Sequence, residues 1–330
     1  MRRRGQTLLS HRDEWGLFLG GVSVADATKG SDPFVASGYA DAMSISVVHH
    51  TDPGCPWAYS AEPHLRALEW RYGDGLEWRT VLIGLTESAE QYVARGYTGD
   101  QMTKWNIEFR DRFHMPYSTD LREGPAGTGM ACRLVVSARL QGYEAGEALL
   151  RALRFSWFTN PRRHDSLEVL EPVVRAVSGI DADAVLAGLD DPEVEALYQA
   201  DRAEARSVAP PASAQGKTAQ TDGPERYTAP SLVFEHDGRT LVAAGWQSLT
   251  AYDICIANLD PTLAQRGPAG PDETLPAFPR GLVTFEVALL MCARNDDPNL
   301  AAAEEALVDL VAAGKARRVA LGNDALWLPV

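Results

Sequence analysis

The sequence predicts an α/β chain. A strand–helix–strand unit and a later strand hairpin frame a long helical block, and a small α+β module closes the chain. Three observations predict this. The β-branched run Ile45-Ser46-Val47-Val48 leads into a Pro/Gly turn and then into the helical spacing of Leu65, Leu68 and Trp70 to Tyr72. Between residues 88 and 206, apolar side chains recur every three or four positions. Further on, Pro230 stands directly before the apolar run Ser231-Leu232-Val233-Phe234, which is followed by the hairpin signal Asp237-Gly238.

With 330 residues the chain is long enough for two modest domains or one large one. Hydrophobic residues at 45% and charged residues at 23% are ordinary for a globular protein. The net charge of −14 argues against a nucleic-acid partner and against an anionic membrane surface. No apolar run is long enough to span a bilayer. The four cysteines, at 55, 132, 255 and 292, show neither metal-ligand spacing nor a disulfide framework. That pattern fits a reducing cytoplasm and predicts no metal.

Residues 1–42 read as a leader without regular structure. Met1-Arg2-Arg3-Arg4 and the apolar stretch at 16–22 hint at a signal peptide, but His11 to Glu14 interrupt it and the stretch is glycine-rich. Ser44 to His50 is the first strand, and Pro56 to Tyr72 reads as one helix ending near Gly73. Leu76 to Leu85 is the second strand, so the unit is a right-handed βαβ. Helices are expected over 88–95, 99–114, 129–141, 145–157, 166–177 and 192–206, and a loop over 207–225. Strands at 231–234 and 240–244 and a helix ending near Asn258 complete the larger unit. Residues 261–280, crowded with Pro and Gly, read as a linker.

The chemistry centres on the turn His49-His50-Thr51-Asp52-Pro53-Gly54-Cys55-Pro56-Trp57-Ala58-Tyr59. Cys55 stands where a strand hands over to a helix, with Pro56 at the first helical position. Free backbone N–H groups and the positive end of the helix dipole meet there, which predicts a sulfur more acidic than a free thiol. The bland alternative is a buried cysteine packing as a small hydrophobe. Asp52 is expected to shape the turn through bonds to backbone N–H groups. Trp57 and Tyr59 either floor a substrate site or belong to the core. His49 and His50 point to opposite faces of the strand, so one of them can modulate Cys55. His64 is expected to face solvent, and Cys132 to come near Cys55 from the helical block.

Asp52-x-x-Cys55-Pro56-Trp57-x-Tyr59 resembles the active-site turn of the DsbA-like branch of the thioredoxin superfamily. That branch includes FrnE-type disulfide oxidoreductases, 2-hydroxychromene-2-carboxylate isomerases and kappa-class glutathione transferases. The oxidoreductases carry a second cysteine where this chain has Ala58. The isomerases and transferases carry serine where it has Cys55. The resemblance implies a thioredoxin-like fold over 43–260, with a helical domain inserted over about 87–206. It also implies that Pro230 is cis and faces Cys55, presenting the backbone of Ala229 to a bound peptide or thiol, with Trp246 and Gln247 on the cofactor side. A lone active-site cysteine implies a thiol oxidoreductase that relies on a small thiol such as glutathione or mycothiol and acts on a small-molecule or protein thiol. The alternatives are a kappa-type isomerase or transferase, in which the turn binds the cofactor's thiolate, and a non-catalytic binding protein. A homodimer is left open.

Residues 281–330 carry two helices and a hairpin, and resemble a winged helix. The second helix is acidic, with Glu304, Glu305 and Asp309, where DNA phosphates would repel it. Only Lys315, Arg317 and Arg318 on the wing are basic. The module therefore reads as a packing or partner-contact element, with DNA binding as the lesser reading.

Overall fold

A computed structural model describes residues 23–25, 44–221, 223–293 and 296–330. Strand β1 (Ser23–Ala25) lies in the leader, where the sequence predicts no regular structure; the rest of 1–42, with the signal-peptide hint, is outside the described residues. β2 (Ile45–Thr51) is followed by helices α1 (Pro56–Ser60) and α2 (Glu62–Tyr72), and then by β3 (Leu76–Leu82). The single helix predicted over 56–72 is in fact two. Pro63 at the second position of α2 cannot donate to the preceding turn, so the chain restarts at Ala61.

The helical block holds α3 (Ala89–Val93), α4 (Gly99–Phe113), α5 (Gly129–Arg139), α6 (Tyr143–Thr159), α7 (Leu167–Ala176), α8 (Ala182–Ala187) and α9 (Pro192–Ala205). The predicted loop at 207–225 contains a short helix, α10 (Pro210–Ala214), and β4 (Thr218–Ala219), which pairs with β5 (Arg226–Tyr227). β6 (Ser231–His236), β7 (Arg239–Ala243) and α11 (Leu249–Leu259) complete the larger unit. Asp237 and Gly238 both have positive φ, 49° and 70°, as the two-residue turn between β6 and β7 requires.

The main sheet runs β1-β7-β6-β2-β3. β2 pairs with β3 in parallel and with β6 antiparallel, and β6 pairs antiparallel with β7. Its register positions the site. His50 lies opposite Ser231, so the turn that leaves β2 emerges beside the loop that enters β6. One face of the sheet buries Ile45, Val47, Leu232 and Phe234 against Leu65, Leu68 and Tyr252. The helical block has its own core around Leu134, Leu149, Leu153 and Phe158.

The predicted linker is not plain connector. It forms α12 (Pro271–Ala277), which starts on a proline at the first helical turn and buries Thr274 and Leu275. After it come β8 (Leu282–Val283), α13 (Thr284–Leu290), α14 (Leu300–Ala312), β9 (Ala316–Leu321) and β10 (Asp324–Pro329). The strands form a second sheet in the order β8-β10-β9. Leu282, Val287, Leu307 and Trp327 of this module share a core with Ala67 and Trp70 of α2. Among the described residues no helix is long and apolar enough to cross a membrane.

Candidate active site

Cys55 caps α1, and Pro56 takes the first helical position. Cys55 is 5% exposed, and its sulfur donates to the carbonyl oxygen of Ala229 at 3.3 Å. The Ala229–Pro230 peptide bond is cis. The loop around it is tied down on both sides: Ser231 Oγ donates to Thr228 O at 2.6 Å and accepts from Gly245 N at 2.8 Å. The carbonyl expected to meet a bound peptide or thiol is thus occupied by the protein's own sulfur.

The expected acidity is not found. The N–H groups of Ala58 and Trp57 do favour a thiolate, as does Arg154. Burial opposes them and wins, with the charge of Asp52 adding to it, and the Cys55 thiol is pushed up to about 11. The helix-end rule describes an exposed sulfur; here Val48, Ala58, Val81 and Ile83 pack around it.

Asp52 is the hub of the turn, as the sequence suggests, and it is fully buried. Its carboxylate accepts from Gly54 N at 2.9 Å and Leu85 N at 2.7 Å. It also accepts from Thr128 Oγ1 at 3.1 Å and Cys132 Sγ at 3.6 Å. These neutral donors favour the anion, yet burial outweighs them and Asp52 sits above the usual carboxylate range. Cys132 therefore contacts the carboxylate; its expected approach to Cys55 takes the form of a shared neighbour. Gly54 lets the helical block close on the turn. A Cβ there would lie 2.5 Å from Thr128 Cγ2 and 2.9 Å from Trp157 Cζ2.

The other predicted residues divide. Trp57 is half-buried, edge-on to Phe109 and Phe113 of α4. Trp246 meets Phe113 at 5.3 Å, so an aromatic seam runs from the cysteine turn to the loop after β7. Tyr59 belongs to the core. It stacks on Phe158 at 4.7 Å and donates to Pro116 O at 2.8 Å. Gln247 acts locally, its amide donating to Ala244 O. His64, expected in solvent, instead packs on Trp246 and Tyr252, with Nδ1 3.1 Å from the Gln247 carbonyl, and burial lowers its pKa to about 4.

His49 and His50 do lie on opposite faces. His50 stacks on Tyr227 at 4.3 Å, whereas His49 feels Arg154 and Glu62. Burial holds both neutral, lowering them to about 4 and about 3 respectively. Neither hydrogen-bonds Cys55, whose sulfur donates to Ala229 O.

Tyr117, Arg154, Glu62 and Arg151 also build the site, and none of them is singled out from the sequence alone. Tyr117 is fully buried, its hydroxyl 3.0 Å from Ser60 Oγ and 3.3 Å from Pro56 O. Arg154 bonds Thr51 Oγ1 and Glu62. Glu62 in turn meets Arg151 at 2.8 Å, and Arg151 bonds Glu286 at 2.7 Å and Gly281 O at 3.0 Å. A charged residue spaced along a helix could have signalled Arg151 and Arg154 as i,i+3 neighbours on one face of α6. Their partners lie too far away in sequence to be read.

Among the described residues, no three His, Cys, Asp or Glu side chains gather as they would around a metal ion. A cavity of 360 Å³ lies between α2 and the C-terminal module, lined by Trp70, Arg266, Leu289 and Cys292 among others, but by none of the predicted site residues.

Comparison with known proteins agrees with this geometry. A family model described as Thioredoxin matches residues 49–209. A solved structure assigned as a protein disulfide isomerase, from Nitrosomonas europaea, is 16% identical, with a TM-score of 0.50 over 65% of this chain and 97% of its own. The fold is thioredoxin-like, and residues 49–209 are similar to the Thioredoxin family. A DsbA-type oxidoreductase from Streptomyces coelicolor is also similar, at 21% identity and a TM-score of 0.49 over 68% of this chain and 92% of its own. Among curated proteins, the ClpXP adapter protein SpxH of Shouchella clausii is 29% identical over 157 residues, 48% of this chain and 52% of that protein. The SpxH of Halalkalibacterium halodurans is 29% identical over 134 residues, 38% of this chain and 43% of that protein. The chain thus matches about half the length of these curated relatives.

Proposed function

We propose that this DsbA-like chain is a thiol oxidoreductase that works with one cysteine. The carrying observation is the Cys55 sulfur at the start of α1, 3.3 Å from the carbonyl that precedes Pro230. With Ala58 where a second cysteine would stand, Cys55 has no neighbour in the turn to resolve a mixed disulfide. A small thiol, glutathione or mycothiol, supplies that role. The Cys55 thiolate attacks the small-thiol sulfur of a mixed disulfide. That S–S bond breaks, a new one forms to Cys55, and the substrate leaves as a thiolate that takes up a proton. A second small thiol then attacks the adduct, restoring Cys55 and leaving as the oxidised dimer. Over the two exchanges one free small thiol is consumed, the substrate thiol is released and the two small-thiol sulfurs end joined in the oxidised dimer. Substrate must displace the Ala229 contact for the sulfur to react, which fits a resting thiol kept protonated. A cytoplasmic setting goes with this reading, since Cys55, Cys132, Cys255 and Cys292 are all unpaired.

The test is a Cys55→Ser variant assayed on a glutathione mixed disulfide. Activity should fall by at least about a hundred-fold, as expected when the nucleophile is removed. Unchanged turnover overturns the reading. Mass spectrometry of the native protein identifies the small thiol as an adduct on Cys55.

A second reading is a protein-binding adapter without catalysis. Two observations favour it: burial holds the Cys55 thiol at about 11, and both curated relatives are named as ClpXP adapters. On this reading the C-terminal module is a contact surface for a protein partner. It predicts that Cys55→Ser leaves partner binding intact.

A further inference from the structure

We infer that the C-terminal module is a working part of the Cys55 site, and that its hairpin positions the cysteine-bearing helix through Asn323 and Tyr117. Asn323, in the turn between β9 and β10, accepts from Tyr117 N at 2.8 Å. Its neighbour Gly322 has φ +55° and presses on the same residue; a Cβ there would lie 3.0 Å from Tyr117 O. The Tyr117 ring is sealed from solvent, and its hydroxyl spans α1, touching Pro56 O at the start and Ser60 Oγ at the end.

The helix needs such support. α1 has five residues and no side-chain cap on its first N–H groups. A helix that short does not hold itself in water. Its placement must come from what packs against it, and the hydroxyl of Tyr117 grips both of its ends.

A second, independent chain of contacts reaches the same segment from the same module. Glu286 of α13 and the Gly281 carbonyl hold Arg151. Arg151 holds Glu62, Glu62 holds Arg154, and Arg154 bonds Thr51, the residue before Asp52. All four charged side chains are at most 7% exposed. The stretch from Thr51 to Glu62, with Cys55 in its middle, is therefore fixed at both ends by contacts that lead to residues 281–323.

The inference rests on Cys55 being the reacting sulfur, and the test reads that sulfur directly in the full-length protein. Cys55 alkylation by iodoacetamide is followed against pH, with peptide-resolved mass spectrometry to separate the four cysteines. Asn323→Ala removes the acceptor from a surface turn. It should alkylate about five-fold faster at pH 8, the effect of one lost buried hydrogen bond on a local opening. The pH midpoint should also move down from about 11 as water reaches the sulfur. Asn323→Asp keeps an acceptor oxygen and should restore the wild-type profile. Arg318→Ala, on the same hairpin but against the Trp327 ring, should match wild type. A wild-type profile for Asn323→Ala overturns the inference. So does an equal acceleration in Arg318→Ala, because the module would then act only by being loosened. Retained turnover in Cys55→Ser would overturn the oxidoreductase reading without touching this result.

Discussion

Asp52 and Glu62 stand on either side of the cysteine helix, both buried, and they behave in opposite ways. Asp52 is held by two backbone N–H groups, a hydroxyl and a thiol, and lies above the usual carboxylate range. Glu62 is held by Arg151 and Arg154 and is lowered to about 2, although burial works against it. Neutral dipoles do not offset the desolvation of a carboxylate, whereas two guanidinium groups more than offset it. The back of the site is thus a permanent ionic knot. The front is a buried carboxylate held above its usual range, next to two cysteines.

The largest expected effect tests the knot. Glu62→Gln leaves the buried Arg154 guanidinium without its carboxylate, while Arg151 keeps Glu286, and should cost ~3–5 kcal/mol in urea unfolding. A loss below ~1 kcal/mol would mean that the knot is held by packing and would erase the contrast with Asp52.

The pH dependence comes next. Glu62 has a folded value below the ordinary one, so its stabilisation is present above about 4.5 and is lost as pH falls towards about 2. The lowered histidines act earlier. His50 resists protonation in the fold, so stability drops from the ordinary 6.5 downwards until about 4. His50→Phe keeps the stack on Tyr227 and should remove about 3 kcal/mol of that loss between pH 7 and pH 4. If unfolding curves at the two pH values differ as much as in the wild type, His50 is not the group that titrates.

Asp52→Asn probes the front. Taking away the charge that raises Cys55 should bring the thiol below about 11 in an alkylation profile. Stability should fall by ~1–3 kcal/mol, because the new amide offers one acceptor where several donors converge. The smallest effect is that of Thr128→Val, which deletes one donor to Asp52 and should cost ~1 kcal/mol in thermal unfolding.

Much of the framework was legible in the sequence. The run Ile45 to Val48, the Cys55-Pro56 junction and Asp237-Gly238 each carry a local physical instruction, and each folds accordingly. The strand period placed His49 and His50 on opposite faces. The raised thiol of Cys55 is not legible, because the helix-end argument is local while much of the burial that reverses it comes from Val81, Ile83, Ala205 and Ala229 elsewhere in the chain. The packing of His64 escapes a local reading for the same reason, since Trp246 and Tyr252 lie against it. The helix α12 was hidden by prolines that open or end a helix as readily as they break one. Tyr117 and Asn323 are separated by most of the chain, and no spacing rule joins them.

Gly54 has no side chain, and the room its missing methyl would need is already taken by Thr128 and Trp157. The clearance between the two halves of the molecule at the sulfur's doorstep is therefore narrower than a single carbon. A chain that acquired alanine at this position would have to prop its helical roof open, and would show its cysteine to the solvent without any visitor having knocked.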